Sequence, residues 1–376
     1  METQDKLLAL SAAADYDVCG YCGTTRPEPS PLRFIHRAVL PGGGTVNLLK
    51  VLLTNFCVND CIYCVNQIRR DVPRSAFKPE ELARLFMELY GKRLVSGIRK
   101  SASETMGNMI DTVEILRRRY CFSGHIHLKI MPGAEASAVE AGCKLASRVS
   151  VNIEAPTRQH LSRLTSKKDL YHDILERMRW VRELMTKEEG LLPSGQTTQF
   201  VVGAARETDR DIIRTTRTLY REMALRRVYF SAFTPVAPDS TDIPPAPPIR
   251  EHHLYQVDWL TRIYGFSLEE VELALDGGGN LPLGGDPKLA IALKQPWLFP
   301  MDINRAEYHE LIRVPGVGPV GAKRILKARR EHSIDSLAQL GKMRILTGVA
   351  APFIWFRGIR GEIKEGRQTS FLQAVG

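Results

Sequence analysis

The order of its apolar runs constrains this chain more than any other feature. From Val46 onward, short β-rich stretches at residues 46–54, 92–97, 125–131, 148–154, 197–203 and 226–233 alternate with stretches of helical periodicity at 79–90, 104–120, 135–145, 169–186 and 208–222. Strands joined by helices of that length pair in parallel, because a parallel neighbour needs a long crossover connection. The pattern therefore predicts an α/β fold, a partial (β/α)6 barrel open on one side. Ser101 with Glu104 has the spacing of a capping box, and Pro79 with Glu80 and Glu81 suits the first turn of a helix.

Residues 235–249, PVAPDSTDIPPAPPI, contain six prolines, which fit neither a central strand nor a helix interior. They read as an extended connector. The expected domains are an N-terminal extension at 1–45, the barrel at 46–235, a Pro-rich connector and helical linker at 236–298, with a glycine-rich turn at 277–287, and a compact all-α module at 299–376. Hydrophobic residues make up 44% of the chain and no run of eighteen or more apolar residues occurs, while the N-terminus lacks the basic start of a signal peptide. These features place the protein in the cytoplasm. Lys and Arg exceed Asp and Glu by ten (52 against 42), and residues 301–376 hold thirteen of the former against seven of the latter. A basic tail invites a polyanionic partner, although surface charge also serves solubility.

Seven cysteines, at 19, 22, 57, 61, 64, 121 and 143, are an odd number in a chain without an export signal, so metal binding or redox chemistry outweighs a disulfide framework. Residues 52–67, LLTNFCVNDCIYCVNQ, place Cys57, Cys61 and Cys64 at C-x3-C-x2-C directly after an apolar strand. Three thiolates so spaced can each hold one iron of a 4Fe-4S cube, leaving the fourth iron without a protein ligand. Structural zinc needs four ligands, and no neighbouring Cys or His completes that set at the usual spacing. Cys19 and Cys22 form a lone C-x2-C that either joins Cys121 or Cys143 on a second metal or merely packs as free thiols.

This cysteine loop, with Tyr63 before the last thiol, resembles the radical SAM signature that follows the first strand of a TIM-like partial barrel. The resemblance implies that the open iron binds S-adenosyl-L-methionine through its amino and carboxylate groups. It also implies that an electron from the reduced cluster cleaves the sulfonium to a 5′-deoxyadenosyl radical, with Tyr63 beside the adenine. In LVSG (94–97), Ser96 and Gly97 stand where relatives meet the methionine amine. In SVNIEAP, Asn152 and Glu154 alternate with Val151 and Ile153, which directs both polar chains to one face of the fourth strand, the barrel interior, where a ribose or methionine headgroup could satisfy them. Gln199 lies on the fifth strand, followed by Gly203, where backbone could approach the cofactor. Ser231 or its backbone on the sixth strand comes near adenine. Lys129 contacts substrate if it faces inward and is an ordinary solvated lysine if outward.

Residues 299–330 combine a helix, a Pro-Gly-Val-Gly turn and a second helix. Asn304 and Glu307 have capping-box spacing, Leu311 and Ile312 give the first helix an apolar face, and Pro319 suits the first turn of the second. Ala322, Ile325 and Leu326 return apolar contact while Lys323, Arg324 and Lys327 remain outside. The pattern resembles the helix-hairpin-helix of DNA repair proteins, in which backbone N–H groups at a helix start meet a phosphate. Gly316, Gly318, Lys323, Arg324 and Lys327 are the expected nucleic-acid contacts, and residues 333–341 could begin a second, degenerate copy.

Across nearly the whole chain, the stretches LLKVLLTNFCVNDCIYCVNQ, HLKIMPGA, RVSVNIEAPT, GQTTQFVVGA, RVYFSAF, REHHLYQVDWL and DPKLAIAL, with the hairpin, are similar to radical SAM proteins assigned to DNA modification or repair and associated with a uracil-DNA-glycosylase-like partner. KRLVSGI departs from the longer apolar run of those relatives, and the second cysteine of the N-terminal pair is also a departure. The resemblance implies DNA as target and an external electron donor. Two rivals stay open: radical chemistry on a protein or small molecule, and a non-catalytic iron–sulfur protein that binds DNA.

Overall fold

In the computed structural model, which describes residues 3–14, 35–39, 45–88, 93–95, 101–236, 242–356 and 359–360, the expected alternation becomes six parallel strands. An antiparallel strand β1 (Ile35–Val39) pairs with β2 (Thr45–Leu52), which pairs in parallel with β3 (Arg93–Val95). The strands β4 (His127–Lys129), β5 (Arg148–Ser150), β6 (Gln196–Val202) and β7 (Leu225–Ala232) form an all-parallel sheet in that order. Helix α1 (Thr3–Ala14) opens the described chain. Between strands lie α2 (Pro79–Glu88), α3 (Ala102–Glu114), α4 (Ala136–Leu145), α5 (Arg158–Leu164), α6 (Glu176–Lys187) and α7 (Asp209–Met223).

Local chemistry explains the boundaries. Pro79 starts α2, whose Leu82, Ala83, Leu85 and Phe86 make one buried stripe. Ser101 caps α3 by accepting from Glu104 N at 3.1 Å. The helix then widens at 115–119, where Tyr120 N reaches back five residues to Ile115 O. Helix α5 has no counterpart in the sequence reading because seven residues are too few to show a period; Thr157 caps it by accepting from His160 N. The fourth barrel strand is shorter than expected. It ends at Ser150, and Glu154 rejoins the sheet through an isolated parallel bridge to Phe200.

The chain divides into two compact units, residues 1–207 with 215–247, and residues 208–214 with 248–376. The second contains α8 (Pro248–Arg262), α9 (Leu268–Glu272), α10 (Pro287–Leu293), α11 (Tyr308–Leu311), α12 (Pro319–Glu331), α13 (Leu337–Lys342) and α14 (Thr347–Ala350). It is not purely helical: β8 (Met301–Asp302), β9 (Ile354–Phe356) and β10 (Ile359–Arg360) form a small sheet in the order β10-β9-β8. Ile303, Leu311, Val314, Ala322, Ile325, Leu340 and Ile354 share its core. The Asn304–Glu307 capping box is not formed. Glu307 itself caps α11 with Glu310, while the Asn304 amide exchanges two hydrogen bonds with the Ile334 backbone, a better use of a side chain that can donate and accept at once. Among the described residues no helix is long and apolar enough to cross a membrane.

Candidate cluster site and nucleic-acid interface

Immediately after β2 the chain makes a loop whose base is closed by reciprocal bonds. Asn55 N donates to Ser75 O at 3.2 Å, Ser75 N to Asn55 Oδ1 at 2.7 Å, and Thr54 Oγ1 to Ser75 O at 2.9 Å. Inside it, the Arg74 guanidinium donates to four carbonyls, those of Asn55, Asn66, Gln67 and Arg70, at 2.6 to 2.9 Å. The planar fork of arginine thus sets the path of the segment carrying Cys57, Cys61 and Cys64. Removing it takes a donor from all four, and only the Gln67 carbonyl keeps another, the Arg70 N–H at 3.1 Å. Arg74→Ala is expected to weaken iron retention on the order of tenfold or more, with Arg74→Lys intermediate, as measured by iron per chain after anaerobic reconstitution and gel filtration.

The loop is strapped to the segment after α5. Ile62 N donates to Leu164 O at 3.0 Å, and the Asp60 carboxylate accepts from Thr165 Oγ1, Ser166 Oγ and Ser166 N. Burial alone would raise the Asp60 pKa, but the bonds from Ser166 and Thr165 outweigh it and hold the carboxyl below its ordinary value. Cys61 is buried, and Cys57 and Cys64 are half-buried. Burial, with the charges of Cys61 and Cys57, pushes the Cys64 thiol up to about 11.

That strap delivers a residue the sequence did not flag. Lys168 Nζ lies 3.5 Å from Glu154 Oε1 and 3.5 Å from the Tyr63 hydroxyl, and the Lys168 and Glu154 side chains are 8% and 7% exposed. Tyr63 also hydrogen-bonds Cys61. Burial lowers the affinity of Lys168 for its proton, yet the facing charges of Cys61, Glu154, Cys57 and Cys64 raise the pKa above the ordinary lysine value. Burial pushes the Tyr63 pKa well up, helped by Cys61 and Glu154. A fixed ammonium therefore stands beside the thiols. Lys168 carries no sequence signal of its own, and only the strap reveals its place.

Glu154 does not reach this position by strand alternation. Its backbone has φ 64°, held by bonds to β6 on both sides (Glu154 N to Gln199 O, 3.0 Å; Val201 N to Glu154 O, 2.9 Å). A left-handed glutamate is uncommon and persists when its surroundings over-determine it. Asn152, two residues before Glu154, and Gln199, whose backbone carbonyl accepts from Glu154 N, are buried, Ser231 on β7 is half-buried opposite Val201, and Lys129 at the end of β4 is half-buried. Gly203 has φ 90°, and its N–H donates to the Glu207 carboxylate, which also accepts from Ala205 N at 3.0 Å. The expected approach of backbone to cofactor there meets an amide already taken. Ser96, Gly97, Cys19 and Cys22 lie outside the described residues. Cys121 is exposed and Cys143 is buried in α4, its thiol pushed up to about 12 by burial.

The donor set suits a multi-iron cube. Three thiols, Cys57, Cys61 and Cys64, share one loop. A cluster takes one thiolate per iron, whereas zinc needs its ligands around one centre.

In the second unit, the turn between α11 and α12 has its carbonyls satisfied from within. Val317 N donates to Val314 O, Leu346 N to Gly316 O, Ala322 N to Gly318 O, and the buried Lys288 Nζ to Val317 O at 2.6 Å. Gly316 needs its freedom (φ 80°), and Gly318 caps α12, whose first turn leaves amides without helical partners. Lys323, Arg324 and Lys327 are exposed on α12, with Arg324 also donating to Met343 O at 2.9 Å. The geometry can seat an anion.

Burial pushes Lys288 down to about 7, with Asp286 opposing and Arg313 reinforcing. The face of Tyr264, 5.0 Å away, and the Val317 carbonyl replace its water. Between pH about 7 and the ordinary lysine value near 10.4 the unfolded chain holds a proton that the folded chain does not. Stability is therefore expected to rise with pH through that window, with the full penalty in place below about 7. Urea melts of Lys288→Met should lose that slope.

Residues 51–219 match the profile of the Radical SAM superfamily, and residues 300–348 match the Helix-hairpin-helix motif. No curated protein sequence matches the chain. Among solved structures, the chain is similar to HydG, a maturase of the [FeFe]-hydrogenase, at 15% identity and TM-score 0.45, covering 56% of this chain and 48% of that one. HydG from Carboxydothermus hydrogenoformans aligns at 15% identity and TM-score 0.42, over 56% and 49%. Methylornithine synthase (PylB) aligns at 13% identity and TM-score 0.45, over 56% and 60%. The chain thus spans about half the length of the HydG chains.

Proposed function

Because the chain carries a radical SAM domain at residues 51–219 and a helix-hairpin-helix motif at 300–348, we propose that it is a cytoplasmic enzyme of DNA modification or repair that reductively cleaves S-adenosylmethionine. A 4Fe-4S cluster and S-adenosylmethionine are the cofactors of that domain, and when bound they supply a 5′-deoxyadenosyl radical that abstracts hydrogen. Cys57, Cys61 and Cys64 hold the cluster. Lys168 receives the methionyl carboxylate, and its pairing with Glu154 and Tyr63 keeps the ammonium in place. Asn152, Gln199 and Ser231 bind the nucleoside, with Ser96 and Gly97 on the methionine amine. The barrel at 46–235 generates the radical, and the module at 299–376 docks the strand through Gly316, Gly318, Lys323, Arg324 and Lys327.

The observation that carries this reading is the buried Lys168–Glu154 pair beside a three-cysteine loop. Hydrogen abstraction needs near contact, so a base inside a duplex must be flipped or already unpaired. An external donor supplies the electron, and the family resemblance supports a uracil-DNA-glycosylase-like partner. The test is anaerobic: reconstituted protein with dithionite and S-adenosylmethionine should release 5′-deoxyadenosine, faster when DNA is added. Release indifferent to DNA would move the substrate to another class. Lys323→Ala should reduce the salt slope of DNA binding by about one.

A further inference from the structure

The two hairpins of the second unit share one plan but differ in chemistry. Residues 314–320 read Val-Pro-Gly-Val-Gly-Pro-Val and residues 342–348 read Lys-Met-Arg-Ile-Leu-Thr-Gly. In this register Gly316 (φ 80°) corresponds to Arg344 (φ 59°), buried Val317 to buried Ile345, and Gly318, the cap of α12, to Leu346, the cap of α14. The turns touch: Leu346 N donates to Gly316 O at 3.3 Å, and a Cβ on Gly321 would meet Ile345 Cγ1 at 3.3 Å.

The second turn lacks what lets the first seat an anion. Leu346 N is taken by Gly316 O, Thr347 N bonds Ile345 O at 2.9 Å, and a leucine side chain stands where the first hairpin has only a glycine hydrogen. What it presents instead is apolar. Leu346 is 66% exposed, and Val320, in the first turn of α12, is 61% exposed. The exposed side chains of these two hairpins otherwise include Lys323, Arg324, Lys327, Lys342 and Arg344. A surface that combines exposed cations with two bare hydrocarbon side chains suits neither bulk water nor an apolar protein partner. It suits a polyanion whose apolar bases lie just beneath its phosphates.

Resting on the DNA-docking reading above, we infer that Leu346 with Val320 forms an apolar wedge that enters between bases of DNA whose phosphate lies on the Gly316–Gly318 turn. The hairpins then contact one strand unequally, the first through phosphate and the second through base. An opened step also helps present a base to the radical.

The test uses full-length, cluster-loaded protein and a short duplex carrying 2-aminopurine, whose fluorescence rises on unstacking. Leu346→Ala is expected to weaken binding on the order of tenfold, about 1.4 kcal/mol, to leave the salt slope unchanged and to suppress the fluorescence rise. Leu346→Met should restore both. Lys323→Ala should lower the slope and keep the rise. Because Leu346 is exposed, melting temperatures should match the parent. If Leu346→Ala binds and unstacks DNA as the parent does, or if the parent binds in a salt-dependent manner without any fluorescence rise, the wedge is overturned while docking survives. A parent that shows no salt-dependent binding overturns both.

Discussion

Lys168→Met is expected to lower stability by about 3–5 kcal/mol, read as a lower urea midpoint with an unchanged slope. The reason is asymmetric. The pair itself contributes little net free energy, because bringing both charges out of water offsets most of their attraction. Removing only the ammonium leaves the Glu154 carboxylate, 7% exposed, without its counter-charge at 3.5 Å. Adding Glu154→Gln should therefore recover most of the loss. The double variant separates fold from chemistry: it should melt near the parent, yet, under the proposed role of Lys168 in receiving the methionyl carboxylate, release no 5′-deoxyadenosine. A double variant as unstable as the single one would show that Lys168 stabilises through packing and not through charge.

Gly316→Ala carries the second large effect. At φ 80° an alanine is strained by about 1–3 kcal/mol whatever surrounds it, and here its Cβ would lie 2.7 Å from Leu346 O and 3.3 Å from Ala350 N, both backbone atoms with little room to retreat. The second hairpin must shift, so DNA affinity should fall together with stability. Gly318→Ala is the control. Its φ of −100° is open to any residue and the nearest atom is the Tyr264 hydroxyl at 3.2 Å, so it should fold nearly as the parent does. Unfolding curves and DNA titrations of the two variants check the contrast. Equal losses would mean that the turn tolerates a left-handed side chain.

Local signals gave the scaffold its legibility. Six strands appear within a few residues of the apolar runs that predicted them, because β-rich runs between amphipathic helices have few other uses. The cysteine spacing marked its loop for the same reason. What escaped were residues whose role depends on partners far along the chain. Arg74 looks like any surface arginine until four carbonyls close around it, and Lys168 meets Tyr63 across 105 positions. Lys288, in the DPKLAIAL helix, reaches a turn 29 residues away. Strand alternation directs Glu154 inward, but alternation cannot foresee a left-handed glutamate (φ 64°). Asn304 was assigned a helix cap because its spacing fits one, but the tertiary partner at Ile334 took precedence.

The Glu207 carboxylate closes the bend after β6 from within. Backbone amides at such a bend ordinarily gather a phosphate, but here Gly203 and Ala205 already grip an internal anion that would repel a second one. A free phosphate is therefore disfavoured at this bend.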